Sequence, residues 1–415
     1  MLGTLKNALQ TPDTRKKILF TLMMFLIFRI GSHIPVPGID STVIADLINK
    51  AKLLGFFDII SGGAFSNFSI FAMSITPYIN ASIIMQLMTV ISPRIEALAK
   101  DDRKKIVEYT RYLTVVLGFI QAIGISLSLR RAITDTSSLS LFVIVISLTA
   151  GTACLMWIGE LITEKGIGNG ISLIIFAGIV SRIPHGIMYL YEYSKGGALQ
   201  ILSVIGFLVL AYLIIMAVVA VQQGERRVPI QYAKRVVGRK VYGGQSTHLP
   251  IKVNSAGVIP VIFAMSLLIF PGTLAAFFPD SPAGQWVTAH FSFNNLLYNV
   301  IYALLIIFFT YFYSSITFNP IDVADNLRKN GGFVPGIRPG RPTAEYIMKV
   351  MNRITLFGAI FLALIAVMPT LLTSATGLEV YFGGTSLLIV VGVALDTMKQ
   401  LESNMLMRNY KGFMK

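Results

Sequence analysis

Apolar runs of about twenty residues, parted by polar connectors, recur along the chain from Ile18 to Leu395. Five fall in the first half, at 18–34, 70–91, 112–129, 139–162 and 171–191. Five fall in the second, at 201–221, 258–278, 296–318, 354–373 and 378–395. Each is about the length needed to cross the ~30 Å hydrocarbon core of a bilayer. Lipid offers no partners to backbone N–H and C=O groups, so such segments must satisfy their own hydrogen bonds and are predicted to be helices. The short alternating segments of a lipid-facing barrel are absent. The expected fold is an all-α polytopic membrane protein with ten transmembrane helices.

Composition agrees with this pattern, and charge adds an orientation. Of 415 residues, 54% are hydrophobic and 13% charged, and the mean hydropathy is +0.70, far from the balance of a soluble globular chain. Of the 35 lysines and arginines, 28 lie in the two terminal tails and in the connectors after spans 2, 4, 6 and 8. Lys50, Lys52, Arg130, Arg131, Arg182 and Lys195 mark the opposite face, and Arg29 falls inside the first span. The positive-inside rule then predicts both termini in the cytoplasm. The first span follows Arg15, Lys16 and Lys17 without a small-residue cleavage pattern, so it reads as a helix and not a removable signal. The lone Cys154 forms no disulfide within the chain, and the four scattered histidines lack metal-ligand spacing, so no metal or cofactor is expected.

Five crossings is an odd number, so a second half built like the first enters the membrane inverted, as in many transport proteins. The halves are expected at 1–192 and 193–415. Ser74-Ile-Thr-Pro-Tyr-Ile-Asn-Ala81 in span 2 and Gly257-Val-Ile-Pro-Val-Ile-Phe-Ala264 in span 7 share an aliphatic, a proline, an isoleucine and an alanine in register. Spans 2 and 7 are corresponding members of the two halves. Before span 2, the stretch from Gly55 to Phe68 is apolar yet broken by glycines, serines and Asp58. It is too interrupted to span. The residues alone leave two readings open, a short re-entrant helix aimed at the protein's centre or an amphipathic helix on the outer surface.

Ionisable residues within the spans are few. Arg29, Glu160 and Asp396 all lie near predicted ends, where the charged group reaches the interface. An ion-coupled transporter keeps carboxylates near the midplane despite a cost of ~2.5–3.5 kcal/mol each, and this chain places none there. Gly166-Ile-Gly-Asn-Gly170 lacks the lysine and hydroxyl residue of a phosphate-binding loop and reads as a tight turn into span 5. No catalytic constellation emerges, so no enzyme is expected. Two long connectors, 222–255 and 319–353, mix basic, aromatic and aliphatic residues with proline and glycine. A hairpin with one basic face fits the first, with RNA-rich or acidic protein surfaces as the natural target. Loops bound only to lipid headgroups are the plainer alternative.

Several motifs resemble the SecY family over essentially the full length. They are Tyr232-Ala-Lys-Arg235, Gln245-Ser-Thr-His-Leu-Pro250, Lys252-Val-Asn254, Phe333-Val-Pro-Gly-Ile-Arg-Pro-Gly340, Phe382-Gly-Gly-Thr-Ser-Leu-Leu-Ile389, Gly166-Ile-Gly-Asn-Gly-Ile-Ser172 and Pro77-Tyr-Ile79. The resemblance implies two inverted five-helix halves hinged between spans 5 and 6, opening sideways between spans 2 and 3 on one side and 7 and 8 on the other. It implies a pore constriction at Ile75, Ile79, Ile175, Ile179, Ile262 and Ile389. It resolves the broken stretch as a short re-entrant plug helix over 55–68, with Phe57, Ile60, Gly62, Gly63, Ala64, Phe65 and Ser66. Gln86 and Asn254 match polar lateral-gate positions, and Arg338 matches the family's arginine for the motor ATPase SecA. Arg226, Arg227, Lys234, Arg235, Arg239 and Lys240 are expected to touch SecA or the ribosome.

The function so implied is a passive protein-conducting channel in the bacterial cytoplasmic membrane, for signal sequences and nascent preproteins. SecE and SecG are the expected companion subunits, membrane lipid surrounds the channel, and the working unit is one copy or a homodimer. A secondary transporter of small solutes is the alternative favoured by the inverted repeat alone. A membrane scaffold that only docks ribosomes is a third reading.

Overall fold

The computed structural model describes residues 10–39, 61–129, 132–133, 137–232, 235–237, 240–242, 246–275, 281–291, 295–376 and 384–412. Among them, ten helices of 16 residues or more match the ten predicted spans in order. The first five are α1 (Pro12–Gly31), α2 (Thr76–Ile91), with the short α3 (Pro93–Asp101) after it, α4 (Arg103–Ser128), α5 (Ser138–Lys165) and α6 (Gly170–Ser194). The second five are α7 (Ala198–Gln223), α8 (Ile259–Ala275), followed by the short α9 (Pro282–His290), then α10 (Leu296–Thr317), the short α11 (Pro320–Lys329), α12 (Arg341–Thr376) and α13 (Gly384–Gly412).

The helix ends differ from the hydrophobic limits for local reasons. Helical hydrogen bonding continues past the apolar run wherever a cap or proline permits. Thus α1 starts on Pro12, and α4 starts at Arg103, where the Asp102 carboxylate accepts from the Lys104 N–H at 3.2 Å. The predicted start of span 2 at Ile70 is corrected to Thr76, because 61–75 forms turns. For the same reason the described part of the predicted plug helix is a run of turns and not a helix. Phe57 and Ile60 lie outside the described residues. Connector 319–353 is also more regular than a loop, since α11 and the first turns of α12 occupy much of it.

Among the described residues, seven helical stretches are individually long and apolar enough to cross a membrane. The number rises to eight when α2 and α3, bent by 111° at Ser92, count as one span. Leu22, Leu26 and Ile30 of α1, Leu202 and Tyr212 of α7 and Phe357 and Leu364 of α12 point outward and are exposed, as expected where lipid is the solvent. Inside, α2 packs on α4, α4 on α5, α5 on α6, α8 on α10 and α10 on α12. The two sets of five meet where α8 touches α2 and α4, and where α6 touches α13. This is a multi-pass membrane protein.

The basic connector after α7 folds as a β-hairpin. Strand β1 (Glu225–Tyr232) pairs antiparallel with β4 (Ser246–Lys252), with Arg226 opposite Ile251 and Val228 opposite Leu249. Between them β2 (Arg235–Val237) pairs with β3 (Lys240–Tyr242). A two-residue strand, β5 (Gly332–Phe333), joins the free edge of β1 to give the order β4-β1-β5. Residues alternate along the pleat. Val228 and Ile230 turn inward with Ile251, Leu327, Val334 and Ile347 as a second small core, while Arg226 and Arg227 face out.

Candidate functional site

Three features stand out. The first is a buried aliphatic cluster. Ile75 at the N-cap of α2, Ile79 in α2, Ile175 and Ile179 in α6, Ile262 in α8 and Ile389 in α13 all belong to it, each no more than 5% exposed. Spacing by four residues places Ile75 over Ile79 and Ile175 over Ile179 on one face of their helices. The six come from both sets of five helices.

The second feature is the run of turns 61–75, whose Ala64 sits in the same buried cluster. Gly62, Gly63, Phe68 and Ser74 have positive φ of 66°, 90°, 37° and 52°. Such backbone costs side-chain-bearing residues of order 1–3 kcal/mol and needs a rigid setting to hold it. Here α1 and α6 supply much of that setting. Arg29 Nη1 donates to the Gly62 carbonyl at 2.9 Å and Arg182 Nη2 donates to Ser66 Oγ at 2.9 Å, while Ser181 Oγ, whose proton goes to the Gly178 carbonyl at 2.7 Å, lies 3.4 Å from the Gly62 carbonyl. A β carbon added at Gly62 would lie 2.8 Å from Gly178 Cα, so the two backbones touch because both residues are glycine. The chain after α1 zips onto the far end of the run, through Val36 N–H to the Phe68 carbonyl at 2.9 Å and Ile70 N–H to the Ile34 carbonyl at 3.0 Å. Phe71 stacks on Phe28 with ring centres 6.2 Å apart.

The third feature is the sheet platform. Arg226, Arg227 and Arg338 are exposed on or beside it. Arg227 Nε donates to Glu225 Oε1 at 2.8 Å, and the Arg338 carbonyl accepts from Thr343 Oγ1 at 2.8 Å, fixing the turn into α12. Pairing of β1 with β5 brings the two basic connectors into one unit. Lys234 and Arg239 lie outside the described residues. Arg235 and Lys240 lie on β2 and β3, and their side chains are not among those described.

Gln86 and Asn254 are not joined to each other. Gln86 Nε2 donates to Ser82 Oγ within α2 at 3.3 Å, and Asn254 Nδ2 donates to the Gly257 carbonyl in the turn before α8 at 2.9 Å. Each leaves its amide oxygen buried without a protein partner. Where α2 and α4 meet α8, a small cavity of about 20 Å³ is lined by Thr76, Asn80 and Gln121 together with Phe65, Met73 and Ile269. These three polar residues are buried and were missed from sequence. A polar residue every turn or so among apolar neighbours is an available signal, but it does not say which helix face meets the other set. The grip of Arg29 and Arg182 was missed too, since Arg29 reads as a span-end cation reaching the interface and Arg182 as one of the cations that mark the opposite face.

The SecY family model matches residues 69–398. The chain is 49% identical to the protein translocase subunit SecY of Halalkalibacterium halodurans, with all of both chains covered. It is 45% identical to that of Thermotoga maritima, over 99% of this chain and 97% of the relative. Among solved structures, one described as a protein conducting channel superposes with a TM-score of 0.68 at 18% identity, covering 94% of this chain and 92% of the other. Sec61 in the canine ribosome-channel complex gives 0.64 at 17%, over the same shares. At such identities the structural likeness speaks for the fold.

Proposed function

This chain belongs to the SecY family, and from that premise we propose that it is the passive protein-conducting channel of a bacterial cytoplasmic membrane. It moves unfolded preproteins across and releases transmembrane segments sideways into lipid. The observation that supports this reading is that six isoleucines carried by α2, α6, α8 and α13, from both sets of helices, are all buried in one apolar cluster that also takes in Ala64 of the run of turns. An aliphatic collar of this kind dewets when empty and so blocks ions, while its flexible walls close around any passing side chain. The seated run 61–66 is the plug beneath it.

In this reading residues 1–192 and 193–415 are the two halves, and they part between α2 and α4 on one side and α8 and α10 on the other. Gln86 and Asn254 bias that gate. An amide pair across membrane helices is worth ~0.6 kcal/mol on average, enough to tilt an equilibrium and too little to lock it. Both termini and the sheet platform face the cytoplasm. Arg338, Arg226 and Arg227, with Lys234, Arg235, Arg239 and Lys240, dock SecA or the ribosome, a reading supported by the ribosome-bound state of the canine Sec61 relative in fold. SecE and SecG pack on the outward apolar faces, and the energy comes from SecA or from translation, not from catalysis by this chain.

Arg338→Glu is expected to abolish SecA-driven export while membrane insertion and thermal stability stay unchanged, and normal export by that variant overturns the docking assignment. Deleting Gly62 to Ser66, or replacing Ile389 with Asn, is expected to raise resting ion conductance and admit weak signal sequences. No change in either assay counts against plug and collar together.

A further inference from the structure

A second cavity, of about 310 Å³, opens at the end of the bundle near the sheet platform, between α5 and α6 of the first set and the turn into α8 and α13 of the second. Its size is at the low end of ligand pockets. Thr163, Asn169, Ser172, Asp396, Thr397 and Gln400 supply its polar wall. Asp396 is exposed to it. Lys252 and Lys399 are the cations whose fields reach that carboxylate, yet neither closes an ion pair with it among the described residues.

Hydrogen-bond direction decides what this wall can bind. Thr397 Oγ1 donates to the Val393 carbonyl at 2.7 Å, and Thr163 Oγ1 donates to the Gly159 carbonyl at 2.9 Å while accepting from the Gly170 N–H at 2.9 Å. Both hydroxyl protons are therefore engaged within their own helices. Thr397 has only lone pairs left to offer, and they lie one residue from the Asp396 carboxylate. Asn169 has its amide oxygen taken by the Ile171 and Ser172 N–H groups, so the acceptors this wall offers are the Asp396 carboxylate and the Thr397 lone pairs, a pairing that suits a multi-donor cation, the ammonium of lysine or the guanidinium of arginine. It is an acidic spot at the mouth of a face on which most of the chain's 35 basic residues are expected. Elsewhere on that face a cationic ligand would be repelled.

We propose that this chamber is a binding site for a basic side chain of the polypeptide in transit, held by the Asp396 carboxylate with Thr397 beside it, before that polypeptide reaches the collar. The proposal rests on the channel reading above. It gives that channel a charge preference at its entrance which the aliphatic collar, having no charge, cannot supply.

The test uses membrane vesicles carrying the full-length chain with its companion subunits, in a Cys154→Ser background with Gln400→Cys at the chamber rim. Two arrested preproteins carry one cysteine next to either an arginine or a glutamine, and disulfide capture by residue 400 is measured. With Asp396 intact, capture of the arginine passenger is expected to exceed that of the glutamine passenger about tenfold, the scale of one charge-assisted hydrogen bond. Asp396→Asn is expected to equalise the two and Asp396→Glu to restore the preference. Equal capture with Asp396 intact overturns the proposal, as does a preference that survives Asp396→Asn. Vesicles of the unmodified chain that export neither passenger would instead overturn the channel reading itself.

Discussion

Helices α2 and α8 start in the same way and arrive from opposite kinds of place. Both have proline within the first two positions, and both follow turns closed by a left-handed residue, Ser74 at φ +52° and Gly257 at φ +63°. The run before α2 is threaded into the protein and gripped by Arg29 of α1 and by Arg182 of α6. The run before α8 hangs from the hairpin and is held mainly by its own chain, through Asn254 Nδ2 to the Gly257 carbonyl at 2.9 Å and Val253 N–H to the Gly224 carbonyl at 2.9 Å. The shared octapeptide pattern sets how a helix begins. What the preceding segment does is set by side chains far away in sequence.

This contrast can be broken most forcefully at residue 62. Gly62→Val adds left-handed strain of ~1–3 kcal/mol to a clash with the Gly178 backbone, which cannot yield. The segment is expected to leave its seat, raising single-channel resting conductance of the reconstituted chain by about an order of magnitude or more for each 1.4 kcal/mol of that cost. An unchanged conductance would mean that the seat is not set by backbone contact. Next in size is the pair Arg29→Ala with Arg182→Ala. Each removes one hydrogen bond from a charged donor, worth ~1 kcal/mol after discounting for the solvent that reaches Arg29. The double variant should therefore loosen the segment about thirtyfold, the two costs adding to ~2 kcal/mol, seen as faster proteolysis or cysteine labelling at Ser66, with each single variant at about fivefold. Labelling unchanged in the double variant would move the grip elsewhere. The smallest effect is expected at Gly257→Ala. Its added β carbon meets nothing nearer than Asp396 Oδ2 at 3.6 Å, so only the backbone penalty of ~1 kcal/mol applies. A slightly lower melting temperature in detergent and a near-normal resting conductance are expected. A leak as large as that of Gly62→Val would erase the distinction between the two approaches.

Much of the fold was legible in sequence because the bilayer imposes it. Ten apolar runs became ten long helices, and the turn Gly166 to Gly170 caps α6, with the Asn169 side chain accepting from the Ile171 and Ser172 N–H groups. The hairpin after α7 was legible from its alternation of charged and apolar residues. Helix ends were less so. Nothing in the apolar pattern separates Ile70, which lies in a turn, from Thr76, which starts α2, because both belong to one continuous hydrophobic run. The inverted repeat by itself left channel and solute transporter open, and family membership decided between them. Of the candidate site, the six isoleucines were found by resemblance alone, since isoleucine is ordinary in such helices.

Sequence alone determined that the chain is a helical multi-pass membrane protein whose ten apolar runs each become a long helix among the described residues, because hydrophobic length acts through solvent and membrane, which need no partner residue. Only tertiary structure decided that Arg29 and Arg182 close on the segment 61–66, that two distant connectors share one sheet, and that Asp396 faces a chamber. Each of those depends on which helix faces meet, and a hydrogen bond between residues more than a hundred positions apart, such as Arg182 to Ser66, leaves no mark in local composition.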